Sequence, residues 1–134
     1  MDVLRIVLPA AAIALAGCAA RPVAQGAPTI DTLTASDAAR RICAGDIGSE
    51  ALTRAYLQRT QVRTELNAFI TLDAAGALTA ARAADQRRAA GAPCLPLQGV
   101  PVVVKDNIHV ARPPSSAGTR GRAGFTPPTD APVV

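Results

Sequence analysis

Aromatic side chains are nearly absent from this chain: it has no tryptophan, one tyrosine (Tyr56) and two phenylalanines (Phe69 and Phe125) in 134 residues. Nearly half the residues are apolar, but alanine, which buries little area, is by far the commonest of these, so material for a core is scarce. Histidine is equally scarce. His109 stands alone, without a second histidine or a clear acid partner, which argues against a metal centre or a histidine acid–base pair. Acidic residues are outnumbered, giving a net charge of +4. A basic balance points to nucleic acid where arginines cluster beside aromatics or within a known motif. Here Arg40, Arg41, Arg54, Arg59, Arg63, Arg82, Arg87 and Arg88 are spread over helical stretches and read as a solvated face, with no nucleic-acid partner. The length allows at most one ordinary domain, and no internal repeat is visible.

What is present begins with an address. A short start carrying Arg5 precedes an apolar stretch from Ile6 to Ala16. That stretch is about half the ~20 residues needed to span a bilayer, so residues 1–20 read as an export signal and not a membrane helix. It ends in Leu15-Ala16-Gly17-Cys18, which resembles the bacterial lipobox. The resemblance implies cleavage before Cys18, lipidation of its thiol, and a periplasmic protein anchored to the membrane. Ala19, where an acidic residue would imply inner-membrane retention, directs the expectation to the outer membrane. The alternative is an ordinary secretory signal cut after Ala20. Residues 21–32, with Pro22, Gly26 and Pro28, read as a flexible tether. Export permits disulfides and leaves Cys43 and Cys94 as one possible pair. Nothing in the sequence places the two near each other, and free buried cysteine is common.

The body, 33–134, opens with helices. Thr34-Ala35-Ser36-Asp37 offers a hydroxyl cap with an acid three residues on, and Gly45 suits a left-handed stop after Ala44. Ser49 opens a second helix with Glu50 in its first turn; Leu52, Ala55, Tyr56 and Arg59 share a face, and the helix runs to about Thr64. Residues 67–72 form a short strand candidate. Asp73 caps an alanine-rich helix through about Ala90, with Gly91 as its stop, and Pro93 to Leu97 is a loop. Near the end, Asp130 is placed to cap a helix with Pro132 in its first turn.

Between these lies Gly99-Val100-Pro101-Val102-Val103-Val104-Lys105-Asp106-Asn107-Ile108. A valine run without polar alternation predicts a strand covered on both faces, as in parallel sheets of α/β proteins. Lys105 then sits at the carboxyl edge of a sheet, where sites form. On the strand alone, Lys105 reads as a snorkelling lysine that marks a strand end. The surrounding motifs change that reading. The segment just quoted, followed by Ser115-Ser116-Ala117-Gly118-Thr119, Ala123-Gly124-Phe125 and Asp130-Ala131-Pro132-Val133-Val134, resembles the opening of the amidase signature family. The resemblance runs from about Leu33 to Val134 and is most specific over Gly99 to Ile108.

This resemblance implies an α/β fold, a mixed sheet covered by helices on both faces, of which 33–134 would be the amino-terminal, truncated part. It implies hydrolysis of small amides through a Ser–cis-Ser–Lys triad, with no cofactor and no metal. Lys105 matches the triad lysine, which must present a neutral amine, a state that desolvation at a buried strand end would favour. The two serines have no match in this chain, so the chain alone is expected to be inactive. Ser115 and Ser116 match a loop after the lysine strand and read as turn formers, not as the nucleophile. Asp106 and Asn107 match the motif and are expected to tie down the strand end. His109 and Arg112-Pro113 depart from it, which puts the substrate-side loop in doubt. Substrate-binding residues and oligomeric state are not legible. Two alternatives stay open: a lipid-anchored domain of the same fold that binds a ligand or partner without catalysis, and the A subunit of a tRNA-dependent amidotransferase. The export signal argues against the second, because aminoacyl-tRNA is cytosolic, and the motifs after Lys105 look closer to general amidases.

Overall fold

The computed structural model describes residues 30–134. Cys18, the expected signal at 1–20 and most of the expected tether lie outside the described residues. Three helices make up the body: α1 (Ala35–Ala44), α2 (Ser49–Val62) and α3 (Ala74–Ala89). A single 3-10 turn, Thr64–Leu66, follows α2, and another, Arg120–Arg122, interrupts the long loop near the end.

Helix α1 starts where local chemistry asks. The Thr34 hydroxyl accepts the Asp37 amide proton (3.1 Å) and donates to the Asp37 carboxylate (2.7 Å), a reciprocal cap. That hydroxyl, ahead of the neighbouring arginines, holds the Asp37 carboxyl below its usual range. Gly45 ends the helix at φ +80°, and the Arg88 guanidinium from the last turn of α3 lies where a Cβ on Gly45 would approach Nη1 to 2.9 Å. Helix α3 begins on Asp73, whose carboxylate accepts the Gly76 amide proton (2.8 Å), and Gly91 follows its end at φ +77°.

Helix α2 is started differently. Its capping position is Gly48, which has no side chain to offer, and Ser49 is already helical. The cap comes from across the fold: the two oxygens of Asp85, on α3, accept the amide protons of Ser49 (2.8 Å) and Glu50 (3.0 Å). A carboxylate there satisfies two orphan donors and complements the positive end of the helix dipole. The freed Ser49 hydroxyl donates instead to the carbonyl of Gly99 (2.5 Å). Glu50 accepts from Arg54 (2.6 Å) and Arg82 (2.9 Å), adding a second polar link between α2 and α3.

The core is small, as the alanine-rich composition predicts. Ala38, Ile42 and Leu52 are buried, with Ile30, Leu33, Ile47, Tyr56 and Val100 packed partly against them. Ala81 and Ala84 bury the inner face of α3. Ile30 and Asp31, placed at the end of the tether by the sequence, dock on α2, through the core and through an ion pair from Asp31 to Arg59.

Several expectations are corrected. The described residues contain no β-strand, so they do not form the mixed sheet. Residues 67–72 are exposed throughout, entered through a 3-10 turn and Asn67 at φ +45°. Residues 100–104 lack a ladder partner, and Val102 and Val103 are 70% and 76% exposed. The reason is physical: a strand exists through pairing, and no described segment pairs with this one. Asp130 likewise caps no helix, because 131–134 form a turn and its carboxylate is taken by another segment, the Ala111 amide.

The described cysteines, by contrast, are joined. Cys43, near the end of α1, and Cys94, in the loop after α3, form a disulfide with Cα atoms 5.9 Å apart across 51 positions of sequence.

Candidate functional site

The Lys105 segment leaves the helices at Gly99. There φ is +77°, and a Cβ would lie 3.0 Å from the Ser49 Cβ and 3.3 Å from the Ala84 Cβ, so the backbone passes closer to α2 and α3 than any side chain permits. Val100 packs on the core, and the chain then runs outward to Lys105. A turn closes immediately, with the Ile108 amide donating to the Lys105 carbonyl (2.8 Å).

Asp106 fastens this turn. Its carboxylate accepts the Ser116 amide (3.1 Å), the Ser116 hydroxyl (2.8 Å) and the Gly118 amide (2.9 Å). Its carbonyl accepts the hydroxyl of buried Ser115 (2.6 Å). The Ser116 hydroxyl, followed by the Gly118 amide, holds the Asp106 carboxyl below its usual range. Both serine hydroxyls are therefore donors into a structural rivet, the turn role expected of them. The Ser115 amide donates to the Phe125 carbonyl (2.8 Å), which carries the fastening one step further along the chain.

Lys105 itself is exposed. The desolvating surroundings expected at a buried strand end are not built by the described residues, because Val102 and Val103 before it are themselves uncovered. What the site holds is position: an amine on a turn pinned from both sides. An open hollow of about 360 Å³, which Lys105 does not line, lies between Ile70 and Thr71 on one side and Ser116, Gly118 and Arg120 on the other.

A second cluster sits on the departures from the motif. The Arg122 guanidinium lies 4.5 Å from the centre of the Phe125 ring, a cation–π contact, and its Nη2 is 3.2 Å from Nε2 of His109. Arginine only donates, so Nε2 of His109 is the acceptor. The His109 carbonyl accepts the Ala131 amide (2.9 Å), and Asp130 accepts from Ala111 (2.7 Å), which folds the last residues back over this loop. Among the described residues no three His, Cys, Asp or Glu side chains gather as metal ligands.

Sequence reasoning missed the contribution of Asp85, which positions α2 and, through Ser49, the start of the lysine segment. The available signal was Gly48 at a helix start without a capping side chain. It also left the Cys43–Cys94 bridge open.

The family model described as Amidase matches residues 51–134. The glutamyl-tRNA(Gln) amidotransferase A subunit of Salinispora arenicola (strain CNS-205) is 43% identical over 106 residues, covering 78% of this chain and 22% of that protein. The protein of the same name from Myxococcus xanthus (strain DK1622) is 46% identical over 103 residues, covering 76% of this chain and 21% of its own length. The chain thus spans about a fifth of the length of these curated relatives. No solved structure matches. With most of its described body matched, including the lysine turn and the loop riveted to it, this chain belongs to the Amidase family.

Proposed function

We propose that this chain supplies the amine of an amidase-type hydrolase, with Lys105 acting on carbon–nitrogen bonds of small amides within the complete mixed-sheet fold. The single observation that carries this reading is the Asp106 rivet, which fixes the turn bearing Lys105 within the segment matched to the family. In the mechanism that the family resemblance implies, a neutral lysine relays a proton from the nucleophilic serine through a second serine. An acyl-enzyme forms, ammonia or an amine leaves, and water completes hydrolysis. That relay calls for a neutral amine, the form that apolar surroundings favour. Exposed Val102, Val103, Ile70 and Leu72 are the surface on which such a cover would sit.

The proposed setting is the periplasm, with Cys18 as the lipid attachment point. The Cys43–Cys94 bridge supports export, because disulfides persist in oxidising compartments. A second reading, as the A subunit of a glutamyl-tRNA(Gln) amidotransferase, is favoured by the names of the relatives. Residues 1–20 argue against it. The deciding experiment is hydrolysis of small primary amides by the full-length protein and its Lys105→Ala variant. Loss of ammonia release with the fold retained supports the proposal, and near-normal turnover in the variant rejects it.

A further inference from the structure

The segment carrying Lys105 is fastened to the helices at three successive places. Cys94 is bonded to Cys43 at the end of α1, Gly99 accepts the Ser49 hydroxyl at the start of α2, and Val100 packs on the core. The first two are linked by a tight run of turns: Gln98 donates to the Leu95 carbonyl (3.1 Å), its side chain accepts the Leu95 amide proton (3.2 Å), and Val100 donates to the Leu97 carbonyl (3.0 Å). Beyond Val100 only four residues separate this anchorage from Lys105. Cys94 is an exposed residue and Cys43 is half-buried, so the Cys94 side is the one that faces a thiolate from solution.

We infer that the Cys43–Cys94 disulfide is a positioning device for Lys105, and that its reduction releases the lysine segment while the helices remain. The inference rests on the reading of Lys105 as the working amine. The chemistry is ordinary thiol–disulfide exchange. One thiolate of a dithiol reductant attacks Sγ of Cys94 and expels Cys43 as its thiolate. The second thiol then closes a ring in the reductant and frees Cys94. Two electrons pass to the protein, which gains two thiols, and the reductant leaves as a cyclic disulfide.

The test is hydrogen–deuterium exchange on the full chain, oxidised and after treatment with dithiothreitol, together with amide hydrolysis by the full-length protein and its C43S/C94S variant. Reduction is expected to raise exchange over 95–105 at least tenfold more than in the interiors of α2 and α3. It is also expected to lower kcat about tenfold or more with KM little changed, because a small misplacement of a reacting group is costly. The C43S/C94S variant should show the low kcat with or without dithiothreitol. Unchanged exchange over 95–105, an equal rise everywhere, or full kcat in the variant would overturn the inference. These outcomes are separable from failure of the functional reading. Lys105→Ala losing activity while reduction changes nothing leaves the hydrolase standing without the clamp, and the exchange response tests the clamp even if Lys105→Ala stays active.

Discussion

Residues 34–91 and residues 92–134 are built on opposite principles. In the first region, α1 and α3 start on their own neighbours, as Thr34 and Asp73 show, α2 is capped by Asp85 from within the same region, and the helices bury a small apolar seam in which Ala38, Ile42 and Leu52 are only 2–3% exposed. In the second, Val102 and Val103 of the valine run are left uncovered, and order comes from individual fastenings: the Cys94 bridge, the Gly99 carbonyl, the Asp106 rivet and the Asp130 contact. The helical region satisfies itself. The second pins the turn that bears Lys105 and leaves Val102 and Val103 exposed.

The strongest way to break this contrast is at the seam between the two regions. Gly99→Ala places a methyl against Ser49 and Ala84 at a positive φ, and it should cost about 3 kcal/mol in urea unfolding from strain and overpacking together. Gly118→Ala, also at positive φ but with nothing within 4 Å, should cost only about 1 kcal/mol from backbone strain. Equal losses would mean that the seam is looser than the contacts around Gly99 require. Asp85→Ala comes next, at about 2 kcal/mol, because it strands two amide donors at the start of α2. Its effect should reach the second region as faster exchange at Val100, since Ser49 loses its orientation. Thr34→Ala should cost about 1 kcal/mol and leave residues 92–134 untouched.

The smallest global effect, and the sharpest local one, belongs to Asp106. Its carboxyl is depressed below the ordinary 3.8, so the stabilisation it gives is fully present above that value and is lost as pH falls through the lower folded value. Acidification through and below the ordinary 3.8 should therefore loosen the Ser116 and Gly118 amides, followed by exchange or chemical shift. Asp106→Asn should remove that pH dependence. A comparable acid response in the variant would assign the titration to another group.

Much of the helical region is legible from sequence because its signals are local. A hydroxyl three residues ahead of an amide, or a glycine after the last periodic residue, acts within one turn. Asp85 is not legible, since it caps amides 35 and 36 positions away and looks like any polar residue on α3. The cysteine pair is hidden for the same reason. The Val102–Val104 run is plainly apolar in sequence, but a strand is a property of two segments, and none of the described residues supplies the second. Residues 67–72 show the same limit on a smaller scale. The lysine turn is legible through its motif, and Asp106 fastens it as that motif implies. Asp130 has the look of a capping acid, yet it serves the Ala111 amide rather than a helix of its own.

The central claim is that Lys105 is the working amine of an amide hydrolase. Its most direct measurement is ammonia release by the full-length protein carrying Lys105→Arg, a change that keeps a cation on the same pinned turn but cannot offer a neutral amine near pH 7. The expected result is a fall in kcat of about a hundredfold or more, with the exchange pattern of Ser116 and Gly118 unchanged. A variant that keeps turnover within a few fold of the parent would contradict the claim.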